Sequence, residues 1–528
     1  MTFGEVMVKH LEHYGVETVF GIPGVHNLEL YRGLANSNIK HILTRHEQGA
    51  GFMAYGYAAL AKKPSVCFVI SGPGLTNITT PLGQAYSDSI PILVISSDAP
   101  SDTLGKGWGY LHEVTDLSAV TKPLTAFSRN LKLPNEFSQA LADAFKVYGR
   151  RARPVHLSIA LDILRKETDS SHFQTLLPTE KLEPDLTLIQ KAATWLESSS
   201  NLCILAGGGA VDCADDIQYL AETFSASVIT TNAGKGIIPE SHPLSLGTTL
   251  VQPCVQEYLS KADIILAVGT ELADTDSYNH KHHFSGKLIR IDIDKNKLTD
   301  QYLAEVAIHA DAKLALQALQ KTAKVKAPTT DATINEVKTL KKQILENLSP
   351  LEQKHHRLLT LLHQTLADNA VVVSDMTQLA YSANYLFPMN QPKCWLHPTG
   401  YGSLGFALPV AIGAKFAEPK RDIIAIIGDA GFQYTLQELG TAVEHKLGLP
   451  ILLWNNDSLG EIERSMEAVN IPPIQIRQHN PDFLALAKAY GCNALSPNSA
   501  EEFTQAIRES FTKDKPTLIE VRQDSSWI

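Results

Sequence analysis

The sequence predicts an α/β protein made of three doubly wound parallel-sheet domains. Two observations carry this. Apolar runs of strand length end repeatedly in glycines and polar residues and lead into helix-patterned segments, the signature of strand–helix–strand units. The chain, at 528 residues, is also too long for one hydrophobic core, and three domains of roughly 150–180 residues follow.

Taken in order, His41-Ile42-Leu43-Thr44 reads as a short strand, and Ala50–Leu60 as the helix after it, with Glu47 near the helix start. A polar stretch with two prolines, Lys166 to Asp185, reads as a first linker. Asn201–Ala210 is a strand running into Gly207-Gly208-Gly209, and strands recur at Asp263–Val268 and Leu288–Asp292. The glycine cluster is compatible with a nucleotide-holding turn or with tight packing alone. Lys321 to Glu336, rich in Lys, Thr and Ala, reads as a second linker. The expected domains are therefore 1–165, 185–322 and 350–528.

Composition excludes several classes. Hydrophobic residues make up 44% and charged residues 19%, an ordinary globular balance. A net charge of −10 without a Lys/Arg-rich run argues against nucleic acid. The first residues lack a basic-then-apolar leader pattern, and no apolar run reaches bilayer length, so no membrane partner and a cytoplasmic location are expected. Six scattered cysteines without a Cys-x-x-Cys pair are expected to be free thiols, mostly buried.

The densest chemistry lies near the C-terminus. Ile423–Ile427 is an apolar strand ending in Gly428-Asp429-Ala430-Gly431. A helix-patterned segment, Tyr434 to Lys446, follows, and a second strand, Leu449–Trp454, ends in Asn455-Asn456. Asp429 and Asn456 are 27 residues apart, about one strand–helix–strand unit. Both then reach the carboxyl ends of neighbouring parallel strands, where open α/β sheets bind ligands. Carboxylate, amide and main-chain oxygens suit Mg²⁺ bridging to a diphosphate. A helix-capping Asp with two turn asparagines is the alternative.

Arg45-His46-Glu47-Gln48-Gly49-Ala50, followed in this order by Gly428-Asp429-Ala430 and Asn455-Asn456, resembles the thiamine-diphosphate enzymes of the acetohydroxyacid synthase, benzoylformate decarboxylase and pyruvate decarboxylase group. Further phrases agree: Phe20-Gly21-Ile22-Pro23-Gly24, Ser71-Gly72-Pro73-Gly74 with Thr76-Asn77, Asp88-Ser89-Ile90-Pro91, Pro239–Pro243 and Gly400–Pro409. The resemblance implies a pyrimidine-binding first domain, a Rossmann-like central domain and a diphosphate-binding last domain. It implies thiamine diphosphate and Mg²⁺, with Asp429, Asn456 and the Ser458 carbonyl as metal ligands. It also implies a cofactor cradle of Pro23, Glu47, Asn77, Thr377, Gly402, Leu404, Gly428, Asp429, Ala430, Gly431, Asn456, Ser458, Leu459 and Gly460. Glu47 would activate the cofactor, a C2 ylide would attack a 2-oxo acid, and loss of CO₂ would leave an enamine. FAD is not expected, since Gly247 is followed by Thr248–Pro253 rather than a Gly-Met-His-Gly-like phrase. In the family Glu47 and the metal site serving one cofactor come from different chains, implying a homodimer or homotetramer.

Departures from the family narrow the activity. Where pyruvate decarboxylases carry a Glu, benzoylformate decarboxylase a catalytic His and acetohydroxyacid synthases a characteristic Trp, this chain has Ile462, Ile70 and Ser465. Leu111-His112-Glu113, Thr121–Ser128, Gly269–Asp276 and Leu459–Glu463 look most like the 5-guanidino-2-oxopentanoate (2-ketoarginine) decarboxylases. The expectation is decarboxylation of that acid to 4-guanidinobutanal, with an acetolactate synthase-type carboligase or a non-catalytic paralogue as alternatives. His112 is the candidate proton shuttle, with His397 a weaker one. Val25, His112 and Glu461 are the candidate substrate residues, the Glu461 carboxylate suiting a guanidinium tail.

Overall fold

A computed structural model of the chain describes residues 1–169, 180–278, 281–324 and 331–528. Its strands form three six-stranded sheets. The first holds β1 (Thr18–Gly21), β2 (Lys40–Leu43), β3 (Ser65–Val69), β4 (Ile92–Asp98), β5 (Phe127–Leu131) and β6 (Val155–Ala160), in the order β2-β1-β3-β4-β6-β5. The second holds β7 (Leu202–Ala206), β8 (Ser227–Thr230), β9 (Ser245–Gly247), β10 (Ile264–Val268), β11 (Lys287–Asp292) and β12 (Val306–His309), ordered β12-β11-β10-β7-β8-β9. The third holds β13 (Val371–Ser374), β14 (Trp395–Leu396), β15 (Ile423–Gly428), β16 (Pro450–Asn455), β17 (Asn493–Leu495) and β18 (Thr517–Arg522), ordered β14-β13-β15-β16-β18-β17.

The sheets are parallel, with helices between their strands, as the alternating pattern requires. Their strands read as near-continuous apolar runs because both faces are covered; every residue of β15 and β16 is buried. The first and third sheets share one connectivity, while the second follows the doubly wound dinucleotide-fold order. In the second sheet the glycines after β7 serve packing. A Cβ on Gly207 would sit 2.4 Å from the Gly269 carbonyl oxygen, and one on Gly209 would sit 2.8 Å from Gly269 Cα.

By contact density the chain falls into two compact units. One comprises Met1–Thr179, Tyr401–Pro497 and Glu509–Gln523; the other comprises Glu180–Gly400, Asn498–Arg508 and Asp524–Ile528. In the first unit the helices Glu47–Ala61 and Ala407–Ala417 cross closely and are buried almost all round. A Cβ on Gly56 would lie 2.0 Å from the Val410 carbonyl oxygen, and one on Gly413 would lie 1.9 Å from that of Met53. Phe52 and Tyr55 meet Phe406 edge-on, with centroids 5.6 and 5.0 Å apart.

Two expectations change. The helix read over Tyr434–Lys446 is broken into Asp429–Thr435, a 3-10 turn at Leu436–Glu438, and Leu439–Glu444. At the break Thr435 Oγ1 donates to the Gly405 carbonyl (2.8 Å), and the Glu438 side chain turns to another helix. The second linker is helical from Asp331, within the helix Asp331–Glu346. Ile334, Val337, Leu340 and Ile344 recur at helical spacing, with Val337 and Ile344 buried. Residues 170–179 of the first linker and 325–330 of the second lie outside the described residues. All six cysteines are free, and all but the half-buried Cys254 are buried.

Candidate active site

Glu47 opens the helix Glu47–Ala61, where an acidic side chain is favoured by the helix dipole. His46 caps the helix, its Nδ1 accepting from Gln48 N at 3.1 Å. Glu47 is 9% exposed. Its Oε2 accepts from Asn77 Nδ2 at 3.0 Å, and its Oε1 faces Gly74, where a Cβ would come within 3.5 Å. The structure thus joins two predicted site residues from separate strand-end loops.

Sequence reasoning missed Glu438, which is wholly buried beside this helix start. Its Oε1 accepts from Arg45 N (3.0 Å) and His46 N (3.1 Å), and its Oε2 from Thr441 Oγ1 (2.7 Å). Gly49 admits it: a Cβ there would lie 2.1 Å from Oε1. Burial pushes the Glu438 carboxyl from the ordinary 4.5 up to about 7, against the pull of those donors. The folded chain therefore holds a proton that the unfolded chain releases, and stability falls as pH rises from about 4.5 to about 7. Glu438→Gln keeps the shape and removes the titration. Denaturant midpoints at pH 5 and pH 8 are expected to show the variant gaining on the order of 3 kcal/mol relative to wild type. Parallel pH profiles would contradict this.

Around the switch between β1 and β3, Gly24 N donates to Asn27 Oδ1 (2.8 Å) and His26 Nδ1 pairs with Ser71 Oγ (3.0 Å). Pro23 lies on this loop, and Val25 is 70% exposed. His112 is half-buried, its backbone in the left-handed region at φ 65°, and its ring meets His26 edge-on at 4.9 Å. Gly72, itself at φ 60°, must lack a Cβ, because one would sit 2.6 Å from the His112 carbonyl oxygen. His26 was also missed; burial, then the neighbouring His112 and Arg165, lower its pKa. Glu113 folds back on its own loop, accepting from Gly107 N, Gly109 N and Tyr110 N at 2.8, 2.8 and 3.1 Å.

Asp429 follows β15 directly and starts the next helix. It is 2% exposed; burial raises its carboxyl, with N–H donors from Asn480 and Ala430 pulling the other way. Strand β16 runs beside β15 with Gly428 opposite Trp454, which brings Asn455-Asn456 to the same edge. Asn456 Oδ1 accepts from Ser458 N (3.2 Å), and Asp457 takes φ 53° to turn the chain. Among the described residues no three His, Cys, Asp or Glu side chains cluster around a metal position. The set Asp429, Asn456 amide and Ser458 carbonyl consists of hard oxygens, and its one buried carboxylate has the like-charged Asp457 nearby. That environment fits a divalent cation of the Mg²⁺ kind.

Gly402 and Gly405, at φ 72° and 74°, turn the loop before the helix Ala407–Ala417, with Leu404 between them. Gln84 Oε1 accepts from Ser403 N (3.2 Å), tying this loop to the first sheet's helices. Leu459 N donates to the Ile476 carbonyl, and Gly460 begins the helix Gly460–Ala468. Ala430 and Gly431 lie in the first turn after Asp429. Thr377 belongs to the other unit, at the N-cap of the helix Gln378–Leu386. Glu461 is paired with Arg464, and Glu463 with Arg477 and Ser458. In the second unit His397 is buried against Ser374 (2.9 Å), burial lowering its pKa to about 3; it stays a neutral structural residue. The acidic loop near Glu271 is engaged there by Lys297.

Three strand-end clusters of this chemistry on doubly wound sheets define a class, and family comparison agrees. Residues 1–120 match the thiamine pyrophosphate enzyme N-terminal TPP binding domain, 189–319 its central domain and 375–521 its C-terminal TPP binding domain. The chain belongs to the thiamine pyrophosphate enzyme family. Within it, the chain is 45% identical to the probable 2-ketoarginine decarboxylase AruI of Pseudomonas aeruginosa, over 99% of this chain and 94% of that one. It is 31% identical to the acetolactate synthase large subunit of Corynebacterium glutamicum (98% and 86% covered). It is 29% identical to acetolactate synthase isozyme 1 large subunit of Escherichia coli (99% and 94%). No helix among the described residues is long and apolar enough to cross a membrane.

Proposed function

We propose that the protein is a thiamine-diphosphate- and Mg²⁺-dependent decarboxylase of 5-guanidino-2-oxopentanoate, yielding 4-guanidinobutanal and CO₂. The observation that carries the proposal is the 45% identity, end to end, with a relative named for that substrate. Intact Glu47, Asp429 and Asn456 support a catalytic rather than a silent chain. The acetolactate synthases, at 29–31% identity, support a carboligase less well.

The residues divide the work. Asp429, Asn456 and the Ser458 carbonyl would hold Mg²⁺, which would neutralise the charge of the bound diphosphate. The Gly402 carbonyl and Leu404 amide would hold the cofactor's pyrimidine, and the Leu404 side chain would support it. Pro23, Gly428, Ala430, Gly431, Leu459 and Gly460 would complete the cradle. The bound cofactor supplies the electron sink for the carbon that loses CO₂. Glu47 moves a proton at its carboxylate, aimed by Asn77. His112, on a strained loop against His26, delivers or accepts the second proton. The functional unit is a homodimer or homotetramer in the cytoplasm, with boundaries near 1–165, 185–322 and 350–528.

Glu461 is the proposed reader of the guanidinium tail, with Val25 nearer the reacting carbon. Arg464 Nε and Nη2 already donate to Glu461 Oε1, so a substrate guanidinium would take over this carboxylate by displacing that ion pair. Glu461→Gln is expected to raise KM for the guanidino acid tenfold or more, about 1.4 kcal/mol, with pyruvate turnover unchanged. CO₂ release from both acids, with acetolactate assayed in parallel, checks it. An unchanged preference would remove Glu461 from the pocket.

A further inference from the structure

The two halves of the proposed metal site are held together by a residue far from both in sequence. Asn480 sits on the loop before Asp482, which caps the helix Phe483–Ala489 through Ala485 N (2.9 Å). Its Nδ2 faces three oxygens: Asp429 Oδ2 at 2.7 Å, Asp457 Oδ1 at 3.1 Å and Asn455 Oδ1 at 3.3 Å. Its Oδ1 accepts from Gln433 Nε2 at 3.1 Å. Three acceptors on one side and a donor on the other fix which end of the amide is nitrogen. Gln433 Nε2 lies 3.2 Å from the Asp429 carbonyl oxygen, so it is aimed from the Asp429 helix itself. Asp457 Oδ2 in turn pairs with Arg522 Nη2 (2.6 Å). One carboxamide thus links the ends of β15 and β16, and through Asp457 the end of β18.

We propose that Asn480 is a positioning residue that sets the spacing and orientation of Asp429 relative to the Asn455–Asp457 turn, and thereby the affinity for the divalent cation. This rests on the metal-site reading above. Asn480 is placed to offer N–H only and adds no oxygen to the cation. Its Nδ2 bridges one oxygen of Asp429 and one of Asp457, restraining two like-charged carboxylates, and the Asp429 carboxylate would keep lone pairs free for the cation. Outer partners of this kind typically carry 10–100-fold in metal affinity.

The test is retention of thiamine diphosphate by the full chain in equilibrium dialysis as Mg²⁺ is titrated, for wild type, Asn480→Leu and Gln433→Leu. Leucine keeps the size of asparagine and removes its amide. The half-saturating Mg²⁺ for Asn480→Leu is expected to rise 10–100-fold, with full retention restored at high Mg²⁺ and thermal unfolding without cofactor unchanged. Gln433→Leu removes the bond that aims the amide, together with the Gln433 bond to the Asp429 carbonyl, and leaves the Asn480 amide in place; it is expected to shift the same way by a few-fold and decides the question if Asn480→Leu does not fold. A Mg²⁺ dependence within twofold of wild type overturns the proposal, as does a loss that excess Mg²⁺ fails to restore. Absence of any Mg²⁺ dependence in wild type overturns the metal-site reading itself.

Discussion

Glu47→Gln is expected to lower CO₂ release about 10²–10⁴-fold, the range that a positioned proton-transfer group contributes. The substitution preserves shape: glutamine can still accept from Asn77 Nδ2 through its carbonyl oxygen, and the cap from His46 is untouched. The Glu438 carboxylate still accepts from the main-chain N–H groups of Arg45 and His46, so the helix start stays in place. Cofactor retention and thermal unfolding should therefore remain near wild type while turnover collapses. Near-normal turnover would show that the Glu47 carboxylate is a helix-start charge and nothing more.

The second large effect is on stability. Gly56→Val and Gly413→Val each place branched carbon against a carbonyl oxygen that has no side chain able to move aside. Even the first added carbon would lie 2.0 Å from Val410 O or 1.9 Å from Met53 O, where ordinary contacts are beyond 3.4 Å. The helices Glu47–Ala61 and Ala407–Ala417 must separate, loosening Phe52 and Tyr55 from Phe406. Overpacking of this kind costs about 1–3 kcal/mol, and backbone contacts place these variants at or above the upper end. Thermal unfolding and thiamine diphosphate retention should both fall, since one helix carries Glu47 and the other follows the Gly402–Gly405 loop. Ala59→Val, on the less buried side of the same helix, should change little. Equal melting of all three variants would contradict the close crossing.

The parts of the fold legible in the sequence are those with local signals. The strands around Asp429 and Asn456 could be read because buried parallel strands are apolar throughout and stop at glycine or a polar turn. The helix after Glu47 was legible for the same reason. What stayed hidden is non-local. Glu438 looked like one more polar residue in a helical pattern, yet its partners are 393 and 392 residues away. Asn480 carries no motif, and Asp429 is 51 residues from it. The break at Leu436–Glu438 follows from those tertiary demands, which outweigh the helix period of Tyr434–Lys446. The helix from Asp331 was misread because lysines and threonines masked the Ile334–Val337–Leu340–Ile344 stripe.

The measurement that tests the central claim most directly is product analysis by mass spectrometry. The purified protein would be incubated with 5-guanidino-2-oxopentanoate or pyruvate, with and without thiamine diphosphate and Mg²⁺. The account predicts 4-guanidinobutanal in step with CO₂ from the guanidino acid, only when both cofactors are present, and little product from pyruvate. Acetolactate from pyruvate, with the guanidino acid left intact, would contradict it and make the protein a carboligase.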